Sequence, residues 1–359
     1  MPKIVFSGGG TLGPVVPLIA IAEAYRAKDP KVQLVWVGTK NGPERELVEQ
    51  YDIPFFTMTA GKWRRYFSWW NFFDIFKIIA AFFKSIIFIW QEQPDLLVSG
   101  GGFVSVPLHW AGRILGVPTW IHQQDVEPGL ANRLMAGFAK KITTALREGS
   151  YQFNQKKTEW LGNPSRDLSG VSKETAYAQF GIPAGAHVIF ALGGGTGSAK
   201  LNQMILEALP SWPREWHVIH LVGKDRPSEL QSRAMAVFSN YHVYKFFTTE
   251  MKDAYALADV VICRAGFSTI TELASLSKVA IIMPMAGTHQ EKNVKMFADN
   301  NAVITLNENT DTGLKLAQMV KDLIGNEELR LRLGKRLNEV LPRAKPERIV
   351  EIVDELVKK

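Results

Sequence analysis

The sequence predicts an α/β protein built as two doubly wound halves. Short apolar, β-branched runs alternate with helical stretches from residue 4 to 144 and again from 188 to 283, the order that builds parallel sheets. Strand ends run directly into glycine-rich turns at residues 7–13, 100–107 and 193–198. A length of 359 residues also exceeds the usual size of one core. Hydrophobic residues make up 46% and charged residues 21%, which marks a globular chain and excludes disorder. The formal charge of +7 favours an anionic partner, whether nucleic acid, an acidic membrane surface or a phosphorylated substrate. The single cysteine, Cys263, lies in a buried-looking strand, which excludes a disulfide framework and a cysteine zinc cluster. No metal-ligand spacing occurs. The opening MPKIVFSGGG lacks the layout of a signal peptide, so a cytosolic location is expected.

In the first half, a strand at 4–6 meets Ser7-Gly8-Gly9-Gly10-Thr11-Leu12-Gly13 and then a helix at 15–26. Glycines between strand and helix let backbone N–H groups approach a phosphate or a sugar. The spacing is not GxGxxG, so a nicotinamide fingerprint has weak support. Strands at 32–37 and 53–57 flank a helix at 44–50. Residues 61–91 are the compositional anomaly. Trp63, Tyr66, Phe67, Trp69, Trp70, Phe72, Phe73, Phe76, Phe82, Phe83, Phe88 and Trp90 crowd there, with Lys62, Arg64, Arg65, Lys77 and Lys84 between them. The lysines keep every apolar run below the roughly 20 residues of a spanning helix. Aromatics beside cations suit a segment lying among lipid headgroups. We expect a helix at 74–91 packed on the sheet, with residues 63–76 left exposed to a membrane.

A strand at 95–99 leads to Gly100-Gly101-Gly102, and a third crossover runs from 119–122 into a loop carrying His122, Asp125 and Glu127. Ionisable groups at a strand C-terminus are where a catalytic base is expected, although each alone also reads as a cap or turn residue. Asn163-Pro164 reads as a linker, with Arg166 beyond it. In the second half a strand at 188–192 meets Gly193-Gly194-Gly195-Thr196-Gly197-Ser198 and a helix, a pairing suited to a diphosphate. Strands at 218–222 and 243–246 follow, then a buried run at 260–263 broken by Arg264-Ala265-Gly266. Ser268 and Thr269 suit the N-cap of the next helix. Glu272, one turn in, either accepts hydrogen bonds from a ribose diol or simply favours the helix dipole. A last buried run at 279–283 ends in a polar loop with His289, Gln290 and Asn293, and helices at 327–340 and 347–358 close the chain.

Two such halves with glycine loops facing a shared cleft resemble a GT-B glycosyltransferase, with two Rossmann-like domains. Nearly the full length resembles the MurG family, which adds N-acetylglucosamine to undecaprenyl-linked lipid I to make lipid II in peptidoglycan synthesis. The residues that carry the resemblance are Gly8 to Gly13 with Pro17, Arg64-Arg65-Tyr66-Phe67-Ser68, Gly101-Gly102 with Val104-Ser105, His122 with Gln124, Pro128-Gly129-Leu130-Ala131-Asn132, Gly162-Asn163-Pro164 with Arg166, Gly193 to Gly197 with Leu201-Asn202, Arg264-Ala265-Gly266 with Glu272, and His289-Gln290 with Asn293.

The resemblance implies an acceptor and membrane-docking domain at 1–163, joined by the C-terminal helix 343–359, and a UDP-sugar donor domain at 164–342. It implies UDP-N-acetylglucosamine held by Thr11, Leu12, Gly13, Asp125, Arg166, Gly194, Gly195, Thr196, Phe247, Met251, Arg264, Gly266, Glu272, His289, Gln290 and Asn293. In that set backbone near Phe247 and Met251 reads uracil, Glu272 the ribose, the glycine loop the diphosphate, and Gln290 and Asn293 the sugar. Gly9, Gly10, Gly101 and Gly102 would hold the acceptor diphosphate. Trp63, Trp69, Trp70, Phe72, Phe73 and Phe76 would dock a peripheral enzyme on the anionic inner leaflet, at the cytoplasmic face of the cell membrane. The family inverts at the anomeric carbon and needs no metal or cofactor, and no nucleic acid is expected as a partner.

This chain departs from the family pattern. Pro14 stands where histidine is usual and Leu12 where glycine is. Gln123 replaces a glutamate, Asp125 an asparagine and Phe103 a tyrosine, and Gly195 and Thr196 replace serine and glutamine. Proline cannot act as a base, so we expect Asp125 to be the general base and His122 to orient its loop. Three other readings are a transferase for another lipid-linked acceptor, a non-catalytic nucleotide-sugar binder, and a UDP-sugar epimerase, for which the aromatic segment has no purpose.

Overall fold

A computed structural model describes residues 1–10, 12–59, 61, 70–194, 197–223, 229–247 and 249–358, without the side chains of 70–75, 229–231 and 233. The chain divides into two compact units, Met1–Ser165 with Arg343–Lys359, and Arg166–Pro342. The change of unit falls two residues beyond the Asn163-Pro164 expected from sequence. Asn163 belongs to the first unit because its carbonyl accepts from the Ala344 N–H at 3.0 Å and its Oδ1 accepts from His122 at 2.8 Å.

The first unit runs β1 (Lys3–Ser7), α1 (Val15–Lys28), β2 (Gln33–Gly38), α2 (Glu44–Glu49), β3 (Phe55–Thr57), α3 (Trp70–Glu92), β4 (Leu96–Ser99), α4 (Ser105–Ile114), β5 (Thr119–Gln123), α5 (Leu130–Ala136), β6 (Lys141–Thr144), α6 (Arg147–Ser150) and β7 (Thr158–Trp160). Its described strands form one sheet in the order β3-β2-β1-β4-β5-β6-β7, and every pairing is parallel. Chain order reverses at β1 and β4, the kind of switch point where open α/β sheets leave a crevice at the strand C-termini. Helices on both faces explain why β1 and β4 read as unbroken apolar runs.

The second unit runs α7 (Lys173–Phe180), β8 (Val188–Leu192), α8 (Ala199–Ala208), β9 (His217–Leu221), α9 (Glu229–Val237), β10 (Tyr241–Tyr244), α10 (Met251–Leu257), β11 (Val260–Arg264), α11 (Phe267–Ser275), β12 (Ala280–Met283), α12 (His289–Asp299), β13 (Ile304–Thr305), α13 (Gly313–Ile324) and α14 (Glu327–Val340). Its described strands order as β10-β9-β8-β11-β12-β13, again all parallel, with the switch at β8 and β11.

The chain then returns to the first unit as α15 (Pro346–Val357). Ile349, Ile352 and Val353 pack into one core with Ile4, Phe6 and Trp36. Arg348 forks onto both carboxylate oxygens of Glu159 at 2.7 and 2.8 Å, which holds that carboxyl down to about 2.

The aromatic helix differs from expectation. It starts at Trp70, and its exposed side continues well past Phe76. Phe76, Ile79, Phe83, Ile87 and Trp90 are 60%, 49%, 60%, 55% and 73% exposed. Their three- and four-residue spacing keeps them on one stripe, while Ala81, Ser85 and Ile89 are buried. Lys77 and Lys84 are exposed beside the stripe. Trp63 and Trp69 lie outside the described residues, as do the side chains of Trp70, Phe72 and Phe73. No described helix is long and apolar enough to cross a membrane.

Candidate active site

In the second unit the loops after the two switch-point strands wall a cavity of about 460 Å³. Leu192, Gly193, Gly194, Gly197, Ser198, Ala199 and Lys200 line it from the β8 end, and Arg264, Gly266 and Thr269 from the β11 end. Met285, Gln290 and Glu308 complete the lining. Gly193 and Gly197 leave no room for a side chain. A Cβ on Gly197, whose φ is +72°, would lie 2.0 Å from the Val222 carbonyl oxygen. Ser198 caps α8 by accepting from the Leu201 N–H at 3.3 Å. The positive end of a ten-residue helix therefore opens on the cavity beside a tight backbone turn, which suits an anionic diphosphate.

Behind this loop is a buried network. Asn202 Nδ2 donates to the Val222 carbonyl at 3.1 Å, which leaves Asn202 Oδ1 as acceptor for His220 Nε2–H at 3.1 Å. His220 Nδ1 then accepts from the Tyr241 hydroxyl at 2.6 Å. Burial pushes His220 down to about 3, so the ring stays neutral and the loop stays pinned.

Glu272 is not part of that lining. One oxygen accepts from Arg166 Nε and Nη2 at 2.9 and 2.8 Å, and the other from the Tyr255 hydroxyl at 3.0 Å. Burial holds the Tyr255 phenol well above its usual range, so it remains a donor. The carboxylate is shaped to take two donors side by side, and the Arg166 pair is the movable one, its side chain being 39% exposed. Its helix starts at Phe267 with Gly266 as N-cap and no side-chain cap, so Ser268 and Thr269 lie inside the first turn instead of capping it.

In the first unit, glycine turns follow β1 and β4 at the switch point. Gly102, with φ +101°, packs so close that a Cβ would sit 3.2 Å from the Gly9 nitrogen. Two of the four glycines expected to hold the acceptor diphosphate have their amides taken. Gly10 N–H donates to Glu44 Oε2 at 3.2 Å, and Gly101 N–H donates to Ser99 Oγ at 2.9 Å. Glu44 is fully buried and also accepts from the Thr39 N–H at 2.7 Å. Sequence reasoning missed Glu44 because it stands 34 residues beyond its partner.

His122 is fully buried with both ring nitrogens engaged. Nε2 donates to Asn163 Oδ1 at 2.8 Å, and Nδ1 pairs with Thr143 Oγ1 at 2.9 Å. Desolvation carries the ring down to about 4. This neutral, encased imidazole ties β5 to β6 through Thr143 and holds Asn163 at the end of the first unit's leading segment. Gln123 clamps the following loop, donating from Nε2 to the carbonyls of Asp125 at 2.9 Å and Glu127 at 3.2 Å. Its Oε1 accepts from Asn132 Nδ2 at 2.7 Å.

The glycosyltransferase family 28 N-terminal domain model matches residues 4–144, and the family's C-terminal domain model matches 188–341. The chain belongs to glycosyltransferase family 28. Within it, this family 28 chain falls in the MurG group. It is 35% identical over 336 residues to the UDP-N-acetylglucosamine--N-acetylmuramyl-(pentapeptide) pyrophosphoryl-undecaprenol N-acetylglucosamine transferase of Staphylococcus aureus (strain JH9), covering 90% of this chain and 91% of that one. Among solved structures, the Acinetobacter baumannii MurG is similar at a TM-score of 0.77 with 24% identity, covering 99% and 100% of the two chains. The calicheamicin glycosyltransferase CalG4 is similar at 0.72 with 12% identity, over 100% and 99%. The fold is that of GT-B glycosyltransferases.

Of the donor residues expected for a family 28 enzyme, Gly194, Arg264, Gly266 and Gln290 come together in one cavity. Arg166 and Glu272 form their own pair. Phe247 is buried against Phe180, Phe190 and Tyr244, so only its backbone is available to a ligand. Met251 and His289 open α10 and α12, and Asn293 is buried within α12. Leu12, Gly13 and Asp125 belong to the first unit. Thr11, Gly195 and Thr196 lie outside the described residues. Lys200, Met285 and Glu308 line the cavity without having been singled out from sequence. Glu308 follows the shortest strand, Ile304–Thr305, and carried no local motif.

Proposed function

We propose that this chain transfers N-acetylglucosamine from UDP-N-acetylglucosamine to the 4-hydroxyl of the muramyl sugar of undecaprenyl-diphospho-N-acetylmuramoyl-pentapeptide, converting lipid I to lipid II with inversion and without a bound metal. The observation that carries the reading is the second unit's cavity. There the glycine turn and the N-terminus of α8 meet Arg264 and Gln290, which supplies amides and a cation for a diphosphate and an amide for a sugar. Family membership supports the same donor and acceptor.

The acceptor oxygen attacks the anomeric carbon as the carbon–oxygen bond to UDP breaks. Amides at the α8 N-terminus stabilise the negative charge left on the diphosphate. The proton of the attacking hydroxyl passes to Asp125, whose loop is set by the Gln123 clamp and by the buried His122. The apolar stripe on α3 with Lys77 and Lys84 is the surface we assign to the anionic leaflet, and it supports a peripheral position at the cytoplasmic face. An epimerase would have no use for that stripe.

The decisive experiment is a transfer assay with radiolabelled UDP-N-acetylglucosamine. Lipid I is compared with lipid diphosphates that lack the muramyl pentapeptide. Label moving into lipid I alone is expected, and label moving only into the truncated acceptors would overturn the reading.

A further inference from the structure

The cavity of the second unit contains a carboxylate that a diphosphate would avoid. Glu308 Oε2 accepts from Arg264 Nη1 at 2.7 Å, and Oε1 accepts from the Ala286 N–H at 2.9 Å. The two side chains of the pair are only 10% and 14% exposed. The same loop ties down the other cation, since Lys200 Nζ donates to the Glu308 carbonyl at 3.0 Å and to Asn309 Oδ1 at 2.8 Å. Met285 N–H donates to Gln290 Oε1 at 3.0 Å, so Glu308, Ala286, Met285 and Gln290 form one continuous wall. The Ala286 N–H first and the Arg264 guanidinium after it hold the Glu308 carboxyl below the ordinary range against the opposing effect of burial, hence ionised at neutral pH.

A hydroxyl or acetamide meeting this wall finds a hydrogen-bond acceptor. An anionic substituent meets a like charge where little water can screen it. Taking the cavity to be the donor site, as proposed above, we propose that Glu308 determines donor specificity: its carboxylate excludes nucleotide sugars whose sugar ring bears a negative charge and admits neutral ones. Arg264 offsets part of the repulsion, which leaves a discrimination on the order of ten- to a hundredfold.

The test is isothermal titration of the full chain with UDP, UDP-glucose and UDP-glucuronate, the last two differing in charge at one carbon. Glu308→Gln keeps an acceptor for Ala286 and removes the charge. The ratio of the UDP-glucuronate to the UDP-glucose dissociation constant should fall at least tenfold in that variant. Arg264→Gln leaves the carboxylate unopposed and should raise the same ratio. If Glu308 were only a prop for Arg264, both variants would move the ratio in one direction, and that result overturns the proposal. An unchanged ratio in a folded Glu308→Gln protein overturns it too, and should that variant not fold, a falling ratio in Arg264→Gln does so by itself. Failure of wild-type chain to bind UDP is a different outcome, which removes the donor-site reading itself.

Discussion

Gln123 does with its amide nitrogen what a carboxylate could not, donating to two carbonyls of the loop that carries Asp125. The amide therefore holds this loop in place, and the question of the base passes to Asp125. Asp125→Asn should lower kcat at least about a hundredfold while leaving the affinity for UDP unchanged. Steady-state turnover with titrated UDP checks this, and near-normal turnover would remove Asp125 from the mechanism. At Gly197 the issue is space. Alanine there adds a Cβ 2.0 Å from the Val222 carbonyl at a left-handed φ. Strain of about 1–3 kcal/mol should appear as a lower melting temperature, together with weaker UDP binding by titration calorimetry. An unchanged affinity would mean that the turn does not hold the diphosphate. Residues such as Gly194, Arg264 and Gln290 were legible in the sequence because a strand, a turn and a helix start are consecutive. The Arg264–Glu308 pair spans 44 residues and the Arg166–Glu272 pair 106, so no local pattern announces them.

Among the elements, α3 is the one whose surface the sequence described only in part. Its composition pointed to a membrane, but which aromatics are buried depends on the face that the sheet and α4 cover. Ala81, Ser85 and Ile89 take that face, so the stripe runs on to Trp90. Replacing Phe83 and Trp90 together by serine should cut sedimentation with anionic vesicles by more than tenfold, since each fully inserted side chain contributes about 1.5–3 kcal/mol. Melting temperature and UDP affinity should not change. Vesicle binding equal to wild type would exclude the stripe as the docking surface. The start of α11 shows a second limit of local reading. Ser268 and Thr269 have cap chemistry, yet Gly266 caps the helix without a side chain.

At the scale of the molecule, the alternation of strands and helices made both parallel sheets legible. Buried histidines add a property that composition does not reveal. His109, His122 and His220 lie at about 3, 4 and 3, each lowered first by desolvation from an ordinary 6.5. Below 6.5 the unfolded chain binds protons that the folded chain refuses, so stability is complete above that pH and is lost as pH falls towards 4. Between pH 6.5 and 5.5 each histidine removes about 1 kcal/mol. His109 and His122 sit in the first unit and His220 in the second, where burial also lowers His217 and His242, so both units should weaken in acid. Urea titrations at pH 7 and 5.5, followed by tryptophan fluorescence, should show lower midpoints in acid, and coincident curves would refute the assignment.

The return of α15 to the first unit also orders the birth of the protein on the ribosome. The sheet of the first unit emerges early, but the helix that covers Ile4, Phe6 and Trp36 is translated only after the whole of the second unit. A nascent chain must therefore carry an uncovered apolar surface while its second unit is completed, and the first core closes only once α15 has followed that unit out of the exit tunnel.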